Sequence, residues 1–307
     1  MKVLVTGASG FIGSHVARIL LSRGHEVYIG WRPSENPPVC SKLDWILTRF
    51  ADSNDIVQYC KVQIDAVCHL EAETDTTKEW VDYLGPNVAT PLALYAWAKE
   101  RGCSRFAWAS SAAIYGCKPA KWVNAKTNWK SMLSCYGESK RLMEDFLSEV
   151  SSIEDVFLFL RLCNVYGPGE DHKVKNGMES MVRRVLVALL RGEPVNLFLD
   201  GTQSRCWIHV EDVARAFVEA VESEIPLIGP LNIQGPDAAI TFNDLVGLCA
   251  QAVGVDRPEI EYVDPPFHYQ SYSQLPDTGY VMPFNWTPRI SLREGIRMYA
   301  EHLKVVI

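Results

Sequence analysis

Residues 5–13 read VTGASGFIG and contain three glycines, spaced three residues apart, directly after a short apolar run (Gly7, Gly10 and Gly13). The run KVLVT (2–6) is typical of a buried strand, and apolar residues recur at helical spacing through FIGSHVARILLSRG (11–24). Glycines between a strand and a helix permit a tight turn, a close approach of phosphate to the backbone, and close packing of helix on strand. The helix N-terminus adds N–H groups and a partial positive charge. The stretch therefore predicts a binding site for a dinucleotide pyrophosphate.

The first half of the chain alternates between strand and helix patterns. Strands are predicted over 2–7, 25–30, 44–48, 65–70, 105–111 and 155–162, and helices over 11–24, 53–60, 90–102 and 136–150. Alternation without tight hairpin signals predicts right-handed βαβ units. The fold class is therefore α/β, with a Rossmann-type doubly wound parallel sheet whose ligands lie at the carboxyl ends of the strands.

The pattern changes from about residue 165. Four helices (178–191, 210–223, 241–254 and 291–303) are separated by short strands (195–199 and 260–263) and proline-rich connections. We expect a dinucleotide-binding domain over 1–164 and a smaller C-terminal α/β lobe over 165–307 that mainly binds substrate. Some segments of this lobe are expected to return to the sheet.

Composition excludes several classes of protein. The chain has 307 residues and a net charge of −7, with 48% hydrophobic and 22% charged residues, which is typical of a soluble globular protein. No basic face for nucleic acid and no apolar run of about 20 residues for a membrane span are predicted. Nine cysteines without CxxC pairs or metal-ligand spacing indicate reduced thiols in a cytoplasmic protein and no metal site.

The glycine spacing is GxxGxxG, and with Thr6 before it and Phe11 within it the stretch resembles the extended short-chain dehydrogenase/reductase family. The resemblance implies a serine, followed by a tyrosine with a lysine four residues later. The segments SSAAIYG (110–116) and YGESK (136–140) provide Ser111, Tyr136 and Lys140. Tyr136 and Lys140 share a helix face, and Ser111 ends a strand, so all three point towards the predicted cofactor.

The family chemistry explains these residue types. A tyrosine has a pKa near 10, and lowering it by about three units corresponds to about 4 kcal/mol. The Lys140 ammonium and a positive nicotinamide ring would together supply this stabilisation. Ser111 would orient the reacting oxygen, and Tyr136 would move a proton while hydride passes between a carbinol carbon and the nicotinamide.

Further motifs resemble the branch of the family that modifies nucleotide-sugars. They are DAVCHLEAET (65–74), NVATPLALYAWAKERG (87–102), RLCNVYGPG (161–169), GTQSRCWIHVEDVARA (201–216) and FNWTPRISLREGI (284–296). Asn87 is carried over as a cofactor-side or structural residue, and Asn164 as a substrate neighbour. The guanidinium of Arg205 would bind the diphosphate of the substrate. His69, His209 and Asp212 are expected to be structural.

The resemblance implies two sets of contacts. The cofactor would be bound by Gly7, Gly10, Phe11, Ile12, Gly13, Trp31, Arg32, Leu70, Glu71, Ala72, Asn87, Ser110, Tyr136 and Lys140. The substrate would be bound by Thr74, Ser111, Ala112, Asn164, Arg205 and Asp277.

The second strand departs from the family pattern at its end. Trp31 stands where a carboxylate would hold the adenosine ribose, and Arg32 follows it, which favours NADP(H) over NAD(H). Glu71 replaces an alanine of the family, and the sequence offers no physical account of it. Gln274 stands where a second phosphate-binding arginine is expected before Asp277, which weakens the case for an ordinary UDP- or dTDP-sugar.

The reaction class stays open between two chemistries. Ala112 and Ala113 replace the acid and base of the family's dehydratases, which excludes that elimination. SSAAIYG favours a 4-epimerase, whereas Arg32 favours a reductase that consumes NADPH. A non-catalytic NAD(P)-binding sensor is the alternative from another class, and the complete Ser/Tyr/Lys set argues against it.

The family resemblance also implies a homodimer. The helices at about 85–101 and 136–150 would form the dimer interface, and Tyr95, Trp97 and Phe146 are candidate interface residues.

Overall fold

The computed structural model describes residues 1–30, 44–46, 63–116, 134–151, 155–174, 177–265 and 282–307. Its strands are β1 (Lys2–Thr6), β2 (Glu26–Gly30), β3 (Asp44–Ile46), β4 (Ala66–His69), β5 (Arg105–Ser111), β6 (Val156–Leu162), β7 (Asn164–Tyr166), β8 (Val195–Phe198), β9 (Ser204–Arg205), β10 (Trp207–His209), β11 (Leu227–Ile233), β12 (Ile240–Thr241) and β13 (Ile260–Val263).

Its helices are α1 (Phe11–Ser22), α2 (Trp80–Tyr83), α3 (Thr90–Glu100), α4 (Cys135–Val150), α5 (Asp171–Val174), α6 (Met181–Arg191), α7 (Val210–Glu222), α8 (Phe242–Val253) and α9 (Leu292–Val306). A π-helical segment (Leu84–Ala89) joins α2 to α3, and a 3₁₀ turn (Ala112–Tyr115) follows β5. No helix among the described residues is long and apolar enough to cross a membrane.

Seven parallel strands form the central sheet, in the order β11, β6, β5, β4, β1, β2, β3. The order reverses between β1 and β4, where Thr6 lies in register with His69. In a doubly wound sheet this switch point opens a crevice at the carboxyl ends of the strands. The predicted Rossmann-type parallel sheet is confirmed.

Helices cover both faces of this sheet. Apolar residues of α1 and α7 pack on one face with β1, β4 and β6, whereas α3 and α4 pack on the other around an aromatic group that includes Trp97, Trp108 and Phe157. Strands buried on both faces are expected to be apolar throughout, and VFLFL in β6 fits this rule. Arg161 breaks it.

A third apolar core lies in the later part of the chain, between α6, α8 and α9. The predicted short strands are observed as β8 and β13, which pair in parallel. Helices α6, α8 and α9 each begin at a serine or threonine whose side chain accepts a backbone N–H (Ser180, Thr241 and Ser291). The division of the chain at 164 and 165 stays a prediction.

Strand β11 lies outside the individual strands predicted from the sequence. Its segment LIGPLNI contains Gly229 and Pro230, which are normally depleted in strands. Because β11 is the edge strand beside β6, proline costs no hydrogen bond to a second neighbour. The strand at 44–48 is observed over Asp44–Ile46, and the helix predicted over 53–60 lies outside the described residues.

Candidate active site

The glycine loop connects β1 to α1 through a tight turn. Gly7 adopts a φ of +67°, and the Gly10 N–H donates to the Gly7 carbonyl at 2.9 Å. A Cβ on Gly13 would lie 2.0 Å from the Gly7 oxygen, so only glycine lets the first turn of α1 touch the loop. Helix α1 has no side-chain cap and no acidic residue in its first turn. This cradle fits a dinucleotide pyrophosphate.

The loop after β4 lies against the same glycines. A Cβ on Gly7 would be 2.9 Å from the Glu71 nitrogen and 3.1 Å from the Leu70 oxygen. The Thr6 hydroxyl accepts from the backbone N–H groups of Leu70 and Glu71, at 3.2 and 3.4 Å, and lies 2.8 Å from His69 Nδ1. The loop after β4 is therefore held next to the glycine loop. It contains Leu70, Glu71 and Ala72, which are predicted to bind the cofactor and are each half-buried.

Ser111, Tyr136 and Lys140 converge at the carboxyl end of β5. The hydroxyl of Tyr136 hydrogen-bonds with the Ser111 side chain, which also accepts from the Ala113 N–H at 3.1 Å. Lys140 Nζ donates to the Ala109 carbonyl at 2.9 Å and lies 5.9 Å from the centre of the Tyr136 ring. Tyr136 and Lys140 lie on the same side of α4 because they are one turn apart in that helix.

A glycine next to Tyr136 permits this contact. Helix α4 begins at Ser134, whose side chain accepts from the Gly137 N–H at 3.1 Å. A Cβ on Gly137 would lie 2.7 Å from the Ala113 carbonyl oxygen, so glycine allows α4 to approach the turn that follows Ser111. The YG pair of YGESK carries this signal in the sequence.

Burial sets the charge states of the site. It raises the pKa of Tyr136, against the opposing effect of the Ser111 hydrogen bond. It lowers the pKa of Lys140 to about 8, against the attraction of Glu144. Burial and the nearby Lys140 charge hold the pKa of His69 well below its usual range, so this imidazole is neutral at pH 7. Without a bound cofactor, burial therefore outweighs the Ser111 hydrogen bond in setting the pKa of Tyr136.

The side chain of Asn87 forms hydrogen bonds with other residues of the protein. Its Oδ1 accepts from the Glu73 N–H at 2.8 Å, and its Nδ2 donates to the Glu73 carbonyl and to Ser139 Oγ, each at 3.0 Å. Ser139 Oγ in turn donates to the Tyr136 carbonyl at 2.8 Å. Asn87 therefore ties the loop after β4 to the first turn of α4, as a structural residue would.

The predicted substrate residues lie on several elements. Asn164 donates to the Cys206 carbonyl at 2.9 Å, and Arg205, largely buried, lies with its guanidinium 5.6 Å from the Phe242 ring centre. Ala112 is buried beside Ser111, whereas Thr74 is exposed in the loop after β4. Trp31, Arg32, Gln274 and Asp277 lie outside the described residues.

Three residues expected to be structural have structural contacts. Asp212 accepts from the N–H groups of Arg289 and Ile290, each at 2.9 Å, and so fixes the segment before α9. His209 caps α7 by accepting from the Glu211 N–H at 3.3 Å. His69 packs against Trp108, with ring centres 4.2 Å apart.

Two charged features lie outside the residues that the sequence singled out. Lys173 Nζ lies 4.8 Å from the ring centre of Phe11, at the first turn of α1. Glu144 and Arg161 form a buried ion pair, with Arg161 Nη2 2.5 Å from Glu144 Oε2, next to Lys140 on α4. The sequence indicates the second feature only through Arg161, which is a charged residue within the apolar run VFLFLRL. In the described ranges no group of three potential metal ligands converges.

Comparison with known proteins agrees with this geometry. ADP-L-glycero-D-manno-heptose-6-epimerase of Alkalilimnicola ehrlichii is 29% identical over 97% of this chain and 96% of its own. dTDP-4-dehydro-6-deoxy-D-allose reductase of a Streptomyces species is 27% identical over 98% and 96%. The crystal structure of UDP-glucose 4-epimerase from Thermus thermophilus in complex with NAD is 27% identical, covers all of both chains and has a TM-score of 0.82.

Residues 3–232 match the NAD dependent epimerase/dehydratase family. The matched segment includes the glycine loop, Ser111, Tyr136, Lys140 and most of the sheet. Relatives named as epimerases and as a reductase of nucleotide-sugars align along nearly the whole chain. The chain is therefore an enzyme of the oxidoreductase type and belongs to the NAD-dependent epimerase/dehydratase family, within the extended short-chain dehydrogenase/reductases.

Proposed function

We propose that this protein is an NAD(P)-dependent nucleotide-sugar epimerase that acts by transient hydride transfer at a secondary, C4-type carbinol of the sugar. The observation that carries the proposal is the contact of Tyr136 with Ser111, with Lys140 close to the Tyr136 ring, at the carboxyl end of β5. This is the edge of the parallel sheet at which the glycine loop follows β1. The alanines at 112 and 113 support it because they leave the site without the acid and base of a dehydratase.

The chain's own residues position the substrate oxygen and move its proton. A nicotinamide dinucleotide held at Gly7, Gly10 and Gly13 would supply a hydride acceptor and a positively charged ring. Ser111 holds the reacting oxygen by a hydrogen bond, and Tyr136 takes the hydroxyl proton as the carbinol becomes a ketone and returns it in the reverse step. Lys140 stabilises the phenolate form of Tyr136.

The substrate contacts follow from the family motifs. We propose that Asn164, Arg205, Ala112, Thr74 and Asp277 bind the sugar nucleotide, with the Arg205 guanidinium on the diphosphate. A 4-keto-reductase that consumes NADPH is the second candidate, supported by Arg32 and by the similarity to a dTDP-4-dehydro-6-deoxy-D-allose reductase. A non-catalytic NAD(P)-binding sensor has less support, since the catalytic set is complete.

The cofactor is expected to be NADP(H) rather than NAD(H), because Trp31 stands where a carboxylate would hold an unphosphorylated ribose and Arg32 follows it. The test is to denature the purified protein, identify the released nucleotide, and titrate NADP⁺ and NAD⁺ against the cofactor-free protein. We expect NADP(H) and a preference of about tenfold or more, or about 1.4 kcal/mol. Stoichiometric NAD⁺ would contradict the role of Arg32, whereas an empty protein that prefers NADPH would favour the reductase.

A homodimer is proposed through α4. Leu142, Phe146 and Val150 form an exposed apolar stripe at i, i+4, i+8 spacing, and Phe146 is 47% exposed. Tyr95 and Trp97, the other interface candidates, instead lie in the core between α3 and the sheet, because their rings pack there. We expect sedimentation of the purified chain to give the mass of two chains, and the mass of one would contradict the dimer.

We further propose a cytoplasmic location. The cysteines of the described part form no disulfide with one another, and all but Cys135 are buried. Such thiols persist in a reducing compartment.

A further inference from the structure

A row of polar side chains crosses the carboxyl end of the sheet beneath α4. Arg161 lies in register with Ser110 of β5 on one side and with Asn232 of β11 on the other. All three are buried, on the face of the sheet that α3 and α4 cover. Such a row is unexpected in a strand that is otherwise apolar, so its polar groups need a physical reason.

Glu144 of α4 accepts hydrogen bonds from two residues of this row. Arg161 Nη2 donates to Glu144 Oε2 at 2.5 Å and Arg161 Nε donates to both carboxylate oxygens at 3.1 Å, while the Ser110 hydroxyl donates to Oε1. Arg161 Nη1 donates to the Tyr115 hydroxyl at 2.9 Å, which donates to Asn232 Oδ1 at 2.6 Å. The network therefore joins α4 to the ends of β5, β6 and β11.

A purely structural role does not require this chemistry. Apolar side chains of similar volume stabilise a protein interior as well as, or better than, a buried ion pair does. A fully bonded buried network instead fixes one arrangement of the elements that it joins. The elements joined here are those that carry the catalytic groups, because Ser110 precedes Ser111 and Glu144 lies one turn after Lys140.

The surroundings of Lys140 make Glu144 its principal charged neighbour. On its own helix Lys140 faces Tyr136 and Glu144, from β5 it faces the Ala109 carbonyl, and from β4 it faces the neutral His69. Among these described groups, only Glu144 carries a negative charge at neutral pH. Burial alone favours the uncharged amine, and the Glu144 carboxylate opposes this effect.

We propose that Glu144, held by Arg161 and Ser110, is a positioning residue that keeps Lys140 charged and fixed below Tyr136, a role that rests on the function proposed above for that pair. Glu144 does not touch the reacting atoms. It acts through Lys140, whose charge favours the phenolate form of Tyr136, and through Ser110, which fixes the backbone that carries Ser111.

The test compares Glu144→Gln with the unchanged protein in two measurements. NMR of lysines labelled at Cε, with the Lys140 signal assigned by Lys140→Arg, follows the titration of Lys140 without substrate or cofactor. We expect its midpoint to move to lower pH in E144Q, since the carboxylate is lost while Arg161 stays charged. The alkaline limb of the kcat/KM profile moves in the same direction, and a shift of one unit gives about tenfold lower activity at alkaline pH.

Tyr115→Phe is the matched control. It removes hydrogen bonds to Arg161 and Asn232 in the same buried network but leaves the Glu144 carboxylate in place, so the midpoint of Lys140 is expected to stay unchanged. If Glu144→Gln alone does not fold, Glu144→Gln with Arg161→Gln removes both charges together, and the midpoint again moves to lower pH. An unchanged midpoint in a folded Glu144 variant, or an equal shift in Tyr115→Phe, overturns the proposal.

The two readouts separate this role from the proposed function. A shifted Lys140 titration in a protein that turns over no sugar nucleotide would support Glu144 and contradict the epimerase. Turnover with an unshifted titration would support the epimerase and contradict Glu144.

Discussion

Replacing Tyr136 by phenylalanine is expected to abolish turnover and to leave cofactor binding intact. The substitution removes only the hydroxyl that bonds with Ser111 and keeps the ring that packs against Tyr83, with ring centres 6.2 Å apart. Positioned acid–base groups contribute about 10²- to 10⁴-fold to rate, so we expect kcat to fall by about 10³-fold. Initial rates with a nucleotide-sugar and a direct titration of NADP⁺ measure the two properties.

Tyr83→Phe is the matched control for Tyr136→Phe. Tyr83 is also a buried tyrosine of this site, but its hydroxyl donates to the Asp75 carbonyl at 2.5 Å rather than to Ser111. Burial raises the pKa of Tyr83 to about 12. We expect the kcat of the Tyr83→Phe variant to differ from that of the unchanged protein by less than about threefold. Surviving turnover in Tyr136→Phe would contradict the catalytic assignment and favour another proton donor.

Replacing Gly13 by alanine is expected to destroy cofactor binding. The new Cβ would lie 2.0 Å from the Gly7 oxygen and 2.6 Å from its carbonyl carbon, and both are backbone atoms that cannot rotate away. The loop must therefore move from the geometry that accepts phosphate. We expect the cofactor Kd to rise by about 100-fold or more, which is about 2.7 kcal/mol, and stability to fall by about 1–3 kcal/mol.

Gly247→Ala is the control for Gly13→Ala. Gly247 is also a helical glycine, in α8, and a Cβ there meets nothing within 4 Å. The same chemical change is expected to leave cofactor affinity unchanged and to stabilise the protein by up to about 1 kcal/mol through helix propensity. Cofactor titration and thermal unfolding compare the two variants. Tight binding by Gly13→Ala would mean that the loop does not form the cradle.

Local patterns were sufficient to predict the parallel sheet and the proximity of Ser111, Tyr136 and Lys140. The glycine loop could be predicted because Gly10 and Gly13 approach the Gly7 carbonyl within a few residues along the chain. Tyr136 and Lys140 could be predicted because helical spacing alone puts them on one face. Ser111 follows because it ends a strand, and parallel strands end at the same edge.

Contacts between distant segments could not be predicted in the same way. The partner of Arg161 lies on another element, Glu144 of α4, and nothing in the spacing of these two residues indicates their pairing. Strand β11 contains glycine and proline, so its place at the sheet edge depends on tertiary context. Trp97 looks like an interface residue on a helix but is 1% exposed, because the aromatic core beneath α3 covers it.

A carbon-bound label tests most directly whether the protein is a 4-epimerase. Nucleotide-sugars that carry deuterium at the C4 carbinol carbon are incubated with the cofactor-loaded protein, and the product and cofactor are analysed after many turnovers. We expect the C4 epimer to form with the deuterium retained at C4 and with no net change in the amount of reduced cofactor. Loss of deuterium to water, or transfer of the deuterium to NADP⁺ with one 4-ketone and one reduced cofactor accumulating in each turnover, would contradict the proposed epimerase.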